Sequence, residues 1–337
     1  MRKFLQHLFR RPLTWMANHL SASPEKKAVF HSLSNLYKSG RMKNNHRLVT
    51  LKINTQQDSF IVFSDQHKGN GDHADDFAAC SGNYLAALQH YHAQCYHYIN
   101  LGDSEELWKY KPHEVLPVNR EVLAAEANFQ PDKKYFRTFG NHDLIWKNKI
   151  DVGRLLKTFF SMPMPVTEGI LLRTPVGDRD LEILLTHGHQ GDKMSDNNAL
   201  STWLVAHIWA PLQRYLQINV NTPSKDDNLR NKHNKLMYAW SGIHKNLLLV
   251  TGHTHQPVFA SGKYSSHPSN TIERDKHDKL KPVYFNTGCC CFSDGDITGI
   301  EIAEGFIRLI KWYANNGLPA RKILEEISLE QLMKDMA

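Results

Sequence analysis

No apolar run in this 337-residue sequence approaches the ~18 uninterrupted residues that a bilayer-spanning helix requires, so a transmembrane protein is not expected. The basic N-terminus is broken by Pro12 and its polar neighbours before a signal-peptide core of roughly 7 to 15 apolar residues could form, and no export signal is expected. Cysteine is scarce. Of five, Cys289, Cys290 and Cys291 are adjacent, and neighbouring cysteines rarely meet bridge geometry, so they make a poor disulfide framework and a reducing cytoplasm fits best. There is no internal repeat, and 41% apolar with 22% charged residues excludes collagen-like, coiled-coil and low-complexity chains. The length suits one elaborated globular domain.

Acidic residues are nearly absent from the first fifty positions, which hold Glu25 against ten lysines and arginines. The net charge is +7, so the remainder of the chain is close to neutral at −2. A basic head on a near-neutral body does not favour nucleic acid as a partner. Within the head, Phe4, Leu5, Leu8 and Phe9 recur at helical spacing, and Leu13, Trp15, Met16 and Leu20 continue the apolar supply. Residues 1–22 could therefore lie on an anionic membrane surface, each Lys or Arg contributing up to ~1 kcal/mol, or pack on the domain with the basic face solvated. The first arrangement would make the protein cytoplasmic and peripheral on the inner face of the membrane.

From about residue 47 the chain turns to short β-branched and aromatic runs, at Phe60–Phe63, Tyr96–Leu101, Tyr135–Phe139, Leu181–Leu185, Leu247–Val250 and Val283–Phe285. Helical periodicity separates most of them, as over Phe77 to Tyr91 and Val115 to Phe129. Strands alternating with helices predict an α/β sheet with its ligands at the carboxyl ends of the strands. Ile297–Ile302 and Phe306–Trp312, joined around Glu304-Gly305, predict a β-hairpin. The expected organisation is a basic amphipathic segment over 1–46, a main domain over 47–314 and a C-terminal helix over 315–337. A helical insertion at about 195–241 would cover the sheet's working edge, and 261–281 forms a second, loop-like insertion.

Five of the six strand ends carry polar clusters: Asp65-Gln66-His67, Gly102-Asp103, Gly140-Asn141-His142-Asp143, Thr186-His187-Gly188-His189 and Gly252-His253-Thr254-His255. Carboxylate, imidazole and amide oxygen suit manganese, zinc or iron, and the arrangement calls for two divalent ions, manganese first with zinc or iron as alternatives. On an extended backbone, side chains two apart point the same way, so Asp65 and His67 are expected to share an ion, as are His253 and His255 unless a turn divides them. Glycines before Asp103, Asn141 and His253 are expected to relieve sharp turns. His189, Asp192 and Asp196, and the loop residues Lys68, Asp72, His73, Asp75 and Asp76, are either auxiliary site groups or helix-capping residues. The triple cysteine is read as packing near the sheet edge, with a third metal site the lesser alternative.

The ordered series D-x-H, GD, GNHD, HG and GHTH resembles the calcineurin-like metallophosphoesterase superfamily, from Asp65 to His255 with closing strands to about Trp312. The resemblance implies a four-layer αββα sandwich of class α/β with a helical lid. It also implies that Asp65, His67 and His255 bind one metal, that Asn141, His187 and His253 bind the second, and that Asp103 bridges both. His142 would stabilise the transition state or protonate the leaving oxygen. Two ions about 3.5–4 Å apart lower the pKa of a water toward roughly 7 and clamp an in-line displacement, so hydroxide attack at phosphorus without a phosphoenzyme is the expected reaction.

Leu101-Gly102-Asp103-Ser104-Glu105-Glu106-Leu107-Trp108 lacks the GD-x-x-D-R-G of protein serine/threonine phosphatases. Its LGD-x-x-E-x-W form is similar to the UDP-2,3-diacylglucosamine pyrophosphohydrolase group, with a departure at His142, where the commoner enzyme has Arg. A lipid-linked nucleotide diphosphate is the expected substrate, its acyl chains against Trp203, Leu204, Ile208 and Trp209 if that apolar face does not simply cover the core. The alternatives are a soluble nucleotide phosphodiesterase or nuclease, and a non-catalytic scaffold.

Overall fold

The computed structural model describes residues 25–42, 45–191, 227–261 and 281–337. Phe60–Phe63 (β2) is buried at every position because it is covered on both faces, and its side chains alternate: Phe60 and Val62 point to one core, Ile61 and Phe63 to another. Beside it run His97–Asn100 (β3), Tyr135–Thr138 (β4) and Val166–Thr167 (β5), all parallel. On its other side Ile297–Ala303 (β10) pairs antiparallel and leads into Phe306–Asn315 (β11) and Leu318–Ser328 (β12), completing a seven-stranded sheet.

The second sheet has five strands in the order Leu48–Lys52 (β1), Gly169–Val176 (β6), Arg179–Thr186 (β7), Leu247–Thr251 (β8) and Tyr284–Asn286 (β9). Strand alternation splits its apolar residues as well. Ile170, Leu172, Leu181, Ile183, Leu185, Leu248 and Val250 meet Phe60, Val62, Ile99 and Leu101 between the sheets. Leu171, Leu184, Leu247 and Leu249 face outward, under helices Lys26–Ser39 (α1) and Asp227–Ser241 (α4). Helices Ser81–Ala93 (α2) and Arg120–Ala127 (α3) cover the far face of the seven-stranded sheet. The architecture is a four-layer α/β/β/α sandwich, as the fold-class expectation has it.

Two boundaries differ from expectation, and one strand was not foreseen. Residues 26–39 do not belong to a separate basic head: Val29, Leu33 and Leu36, spaced one turn apart, are fully buried against β1, β6 and β7, so α1 is a layer of the sandwich. The segment 315–337 is not one helix. Asn316 (φ 51°) and Gly317 (φ 81°) form a turn with both central residues left-handed, which returns the chain as β12, and only Leu329–Asp335 (α5) is helical. The Lys/Glu-rich run Arg321–Glu326 has helix-forming composition, but pairing along the whole of β11 overrides it. β6 was not anticipated. The expected 195–241 insertion is helical over Asp227–Ser241, while its residues 195–226, with Trp203 and Trp209, lie outside the described residues, as do 1–24, Asp192, Asp196 and 262–280.

Candidate metal centre

The carboxyl ends of β2, β3, β4, β7 and β8 meet at one rim, and the five polar clusters come together there. Asp65 Oδ1 lies 3.2 Å from His255 Nε2, 3.8 Å from His67 Nε2 and 4.0 Å from His187 Nε2. His67 Nε2 and His255 Nε2 are 3.1 Å apart. Asp103 Oδ2 lies between groups, 3.7 Å from His67 Nε2 and 3.2 Å from His187 Nε2, and His187 Nε2 is 3.2 Å from Asn141 Oδ1. His253 joins Asp103 and His187, with one donor atom of each residue within 4.8 Å of the others. All seven residues expected to hold metal are thus neighbours.

The means of convergence is not strand alternation. Asp65 (φ 53°), His67 (φ 49°), Asp103 (φ 50°), His253 (φ 68°) and His255 (φ 55°) are all left-handed, beyond the last residues of their strands. Such backbone costs about 1–3 kcal/mol for a residue with a Cβ and persists where surrounding bonds over-determine it. Those bonds are visible. Asp65 N donates to Gly102 O (3.0 Å), His67 N to Asp103 O (2.9 Å) and His253 N to Asp65 Oδ2 (2.9 Å), while Ser64 Oγ also donates to Asp65 Oδ2. Two glycines serve close approach: a Cβ on Gly140 would collide with the Asp103 carboxylate, and one on Gly252 with Ser64 Oγ and Asp65 Oδ2.

His142 sits at the mouth. Its amide donates to Asp103 Oδ1 (2.7 Å), its Nδ1 to Glu106 Oε1 (2.8 Å), and its ring stacks on Trp108 at 3.9 Å between centroids. Glu106 Oε2 receives His67 Nδ1 at 3.1 Å. A carboxylate only accepts, so both imidazoles carry hydrogen on Nδ1 and turn Nε2 toward the site. Burial and then the His142 and Lys109 charges act on Glu106, and the cations win, holding its pKa well below the usual carboxylate range.

The donor set is built around positive charge. Asp65 Oδ1 is buried and takes no hydrogen bond of acceptable geometry, although three imidazole nitrogens crowd it. Burial disfavours the Asp65 and Asp103 carboxylates, yet neighbouring imidazoles, His187 foremost, hold both pKa values well below normal. Burial likewise opposes a charge on His187, but Asp103 and Asp65 raise its pKa to about 9. His253 goes the other way, lowered by burial and by His233 and His187. Two anions crowded by five nitrogen and amide-oxygen donors are a donor set that fits divalent cations of borderline hardness.

Several expected auxiliaries are structural. Lys68 is fully buried, 2.7 Å from Glu126 and 3.3 Å from Glu105. Asp72 accepts from Tyr110 (2.7 Å), Asp75 from the amides of Gly71 and Phe77 (2.9 and 3.0 Å), and Asp76 pairs with Lys109 (3.2 Å). Cys289 and Cys290 are buried, while Cys291 Sγ lies 3.6 Å from His255 Nδ1.

Other supporting residues went unread in the sequence. Arg137, buried inside the apolar run of β4, reaches Glu105 and Asp143; Asp143 accepts from Ser104 N (2.9 Å) and Gly140 N (2.6 Å), joining two site loops. Its one signal was a charge in the middle of an apolar strand. Asn286, at the sixth strand end, donates to Gly252 O (2.6 Å), Thr251 Oγ1 (3.1 Å) and Thr254 Oγ1 (3.2 Å), and so fixes the turn bearing His253 and His255.

No protein-family profile matches the sequence, and no curated protein does. Among solved structures, the chain is similar to vacuolar protein sorting 29 from Cryptosporidium parvum, at 13% identity over 80% of this chain and 98% of that one, with a TM-score of 0.37. It is similar to a dimetal phosphatase from Danio rerio at 9% identity over 81% and 98%, TM-score 0.38. A mutant cold-active protein tyrosine phosphatase aligns at 14% identity over 84% and 85%, TM-score 0.35.

Proposed function

We propose that this protein is a binuclear metal-dependent phosphoesterase that hydrolyses a phosphodiester or pyrophosphate. The observation that carries the reading is the position of Asp103 Oδ2, 3.7 Å from His67 Nε2 on one side and 3.2 Å from His187 Nε2 on the other, so that one carboxylate oxygen serves two donor groups. Asp65, His67, Asp103 and His255 would hold one divalent ion, and Asp103, Asn141, His187 and His253 the other. When bound, such a pair activates water and neutralises charge on the phosphoryl oxygens.

The chain's own residues supply the rest. Asn141 contributes an oxygen donor without charge, leaving the centre cationic enough to bind phosphate. His142, fixed at Nδ1 by Glu106 and stacked by Trp108, presents Nε2 at the mouth, and as an imidazolium with hydrogen on both nitrogens it can pass the Nε2 proton to the leaving oxygen or bond a phosphoryl oxygen, the Nδ1 hydrogen staying on Glu106. Ser64 and the His253 amide fix Asp65 Oδ2 and so orient Oδ1.

The substrate we infer is a lipid-linked nucleotide diphosphate of the UDP-2,3-diacylglucosamine kind. The LGD-x-x-E-x-W pattern supports it, and its Glu106 and Trp108 both lie at the candidate metal centre, against His142. The basic head supports it too: residues 1–22 would hold an anionic membrane surface on the cytoplasmic side, with Trp203 and Trp209 taking acyl chains. No helix among the described residues is long and apolar enough to cross a membrane. The test is hydrolysis by the Mn²⁺-loaded protein of a panel holding UDP-2,3-diacylglucosamine, a soluble nucleotide diphosphate sugar, a cyclic nucleotide and single-stranded DNA. The reading expects the lipid to be cleaved fastest and to UMP; fastest cleavage of the cyclic nucleotide or of DNA overturns the substrate, and cleavage of none overturns the enzyme.

A further inference from the structure

The imidazoles assigned above to metal differ in what holds them from behind. His67 Nδ1 meets the carboxylate of Glu106 at 3.1 Å, and His187 Nδ1 meets the carbonyl of Leu101 at 3.1 Å. His255 Nδ1 faces a sulfur, Cys291 Sγ, at 3.6 Å, and its Nε2 is thereby turned to Asp65 Oδ1 (3.2 Å) and His67 Nε2 (3.1 Å). The sulfur is not there by accident of a floppy loop. Cys290 N donates to Asp65 O (3.2 Å) and Thr298 N to Cys289 O (3.0 Å), so the cysteine segment is tied on one side to the loop that carries Asp65 and on the other to β10.

We propose that Cys291 is the positioning residue of the first metal position: its sulfur accepts the Nδ1–H of His255 and sets the ring so that Nε2 points at the ion shared with Asp65 and His67. This rests on the two-metal reading above. Sulfur is a weak acceptor compared with the carboxylate behind His67, so the His255 side is the less firmly held edge of that position. Groups that orient a metal-ligating imidazole typically carry roughly 10- to 100-fold in metal affinity. Because His255 is the one imidazole of the set that Cys291 meets among the described residues, the effect of losing Cys291 falls on one ion and not the other.

The experiment is a calorimetric titration of the metal-depleted full-length protein with Mn²⁺, run on wild type, Cys291→Ala and Cys291→Ser, with His255→Ala and Asn141→Ala to mark which binding event is which. Wild type is expected to show two events. Cys291→Ala should weaken the event that His255→Ala abolishes by roughly 10- to 100-fold and leave the event that Asn141→Ala abolishes unchanged. Cys291→Ser, whose hydroxyl accepts the same N–H, should recover most of the loss. Wild-type affinities in Cys291→Ala, equal weakening of both events, or a serine variant no better than alanine overturns the proposal. A wild-type chain that binds no pair of ions, or marker variants that abolish neither event, overturns the two-metal reading on which it stands.

Discussion

Glu106 and His142 are joined by a 2.8 Å hydrogen bond at Nδ1, and the same carboxylate reaches His67 Nδ1 at 3.1 Å, so one side chain orients both a proposed metal ligand and the proposed acid. Replacing it with Gln should lower metal affinity by roughly 10- to 100-fold through His67. At saturating metal kcat should remain depressed, because a neutral amide lacks the carboxylate's negative charge, which supports hydrogen on both ring nitrogens of His142 at once. Steady-state kinetics at a series of Mn²⁺ concentrations separates the two effects; full recovery at high metal would show that Glu106 acts through His67 alone.

Gly252 and Gly82 make a matched pair. A Cβ at Gly252 would strike Ser64 and Asp65, whereas a Cβ at Gly82 in α2 meets no atom within 4 Å. Gly252→Ala is expected to destabilise by about 1–3 kcal/mol, as overpacking does, and to impair metal uptake. Gly82→Ala should be neutral or stabilise by about 0.4–1 kcal/mol. Chemical denaturation of the two variants, with metal content measured alongside, checks both.

Trp240 in α4 is fully buried over the five-stranded sheet and donates from Nε1 to Ser34 Oγ at 3.0 Å, tying α4 to α1. Trp240→Ala should cost about 3–5 kcal/mol. The loss is to be read from equilibrium unfolding in urea; a change below 1 kcal/mol would mean that the outer layer is not part of the cooperative unit.

Lys68 and Glu126, both fully buried and 2.7 Å apart, bind the first site loop to α3. Lys68→Met leaves the buried Glu126 carboxylate without the cation 2.7 Å from it, while Glu105 keeps Arg137, and should destabilise by about 3–5 kcal/mol, with much of that regained in Lys68→Met/Glu126→Gln. A double-mutant cycle in urea measures the coupling, and additive single losses would contradict it.

The candidate site was legible because its residues stand in short local clusters at strand ends, and it is the order of those clusters, with the resemblance it carries, that marks Asp65, Asp103, Asn141, His187 and His253, where any one of them alone is a weak signal. The way these residues converge was not. Five left-handed backbones are a product of bonds between distant loops, such as Asp65 to Gly102 and His253 to Asp65, and periodicity carries no record of them. β12 failed for a related reason. Its composition favours helix, and only the Asn316-Gly317 turn, read with β11 in mind, announces a strand. Arg137 reaches Glu105, and Asn286 its three partners, across 32 to 35 positions, beyond the reach of any local window.

The central claim is that Asp103 holds two ions together, and metal counting tests it most directly. Wild-type protein loaded with Mn²⁺ and desalted should retain two ions per chain by plasma mass spectrometry, with a spin-coupled signal by electron paramagnetic resonance; Asp103→Ala should retain at most one, with no coupling. Two ions in the variant, or none in the wild type, would contradict the account.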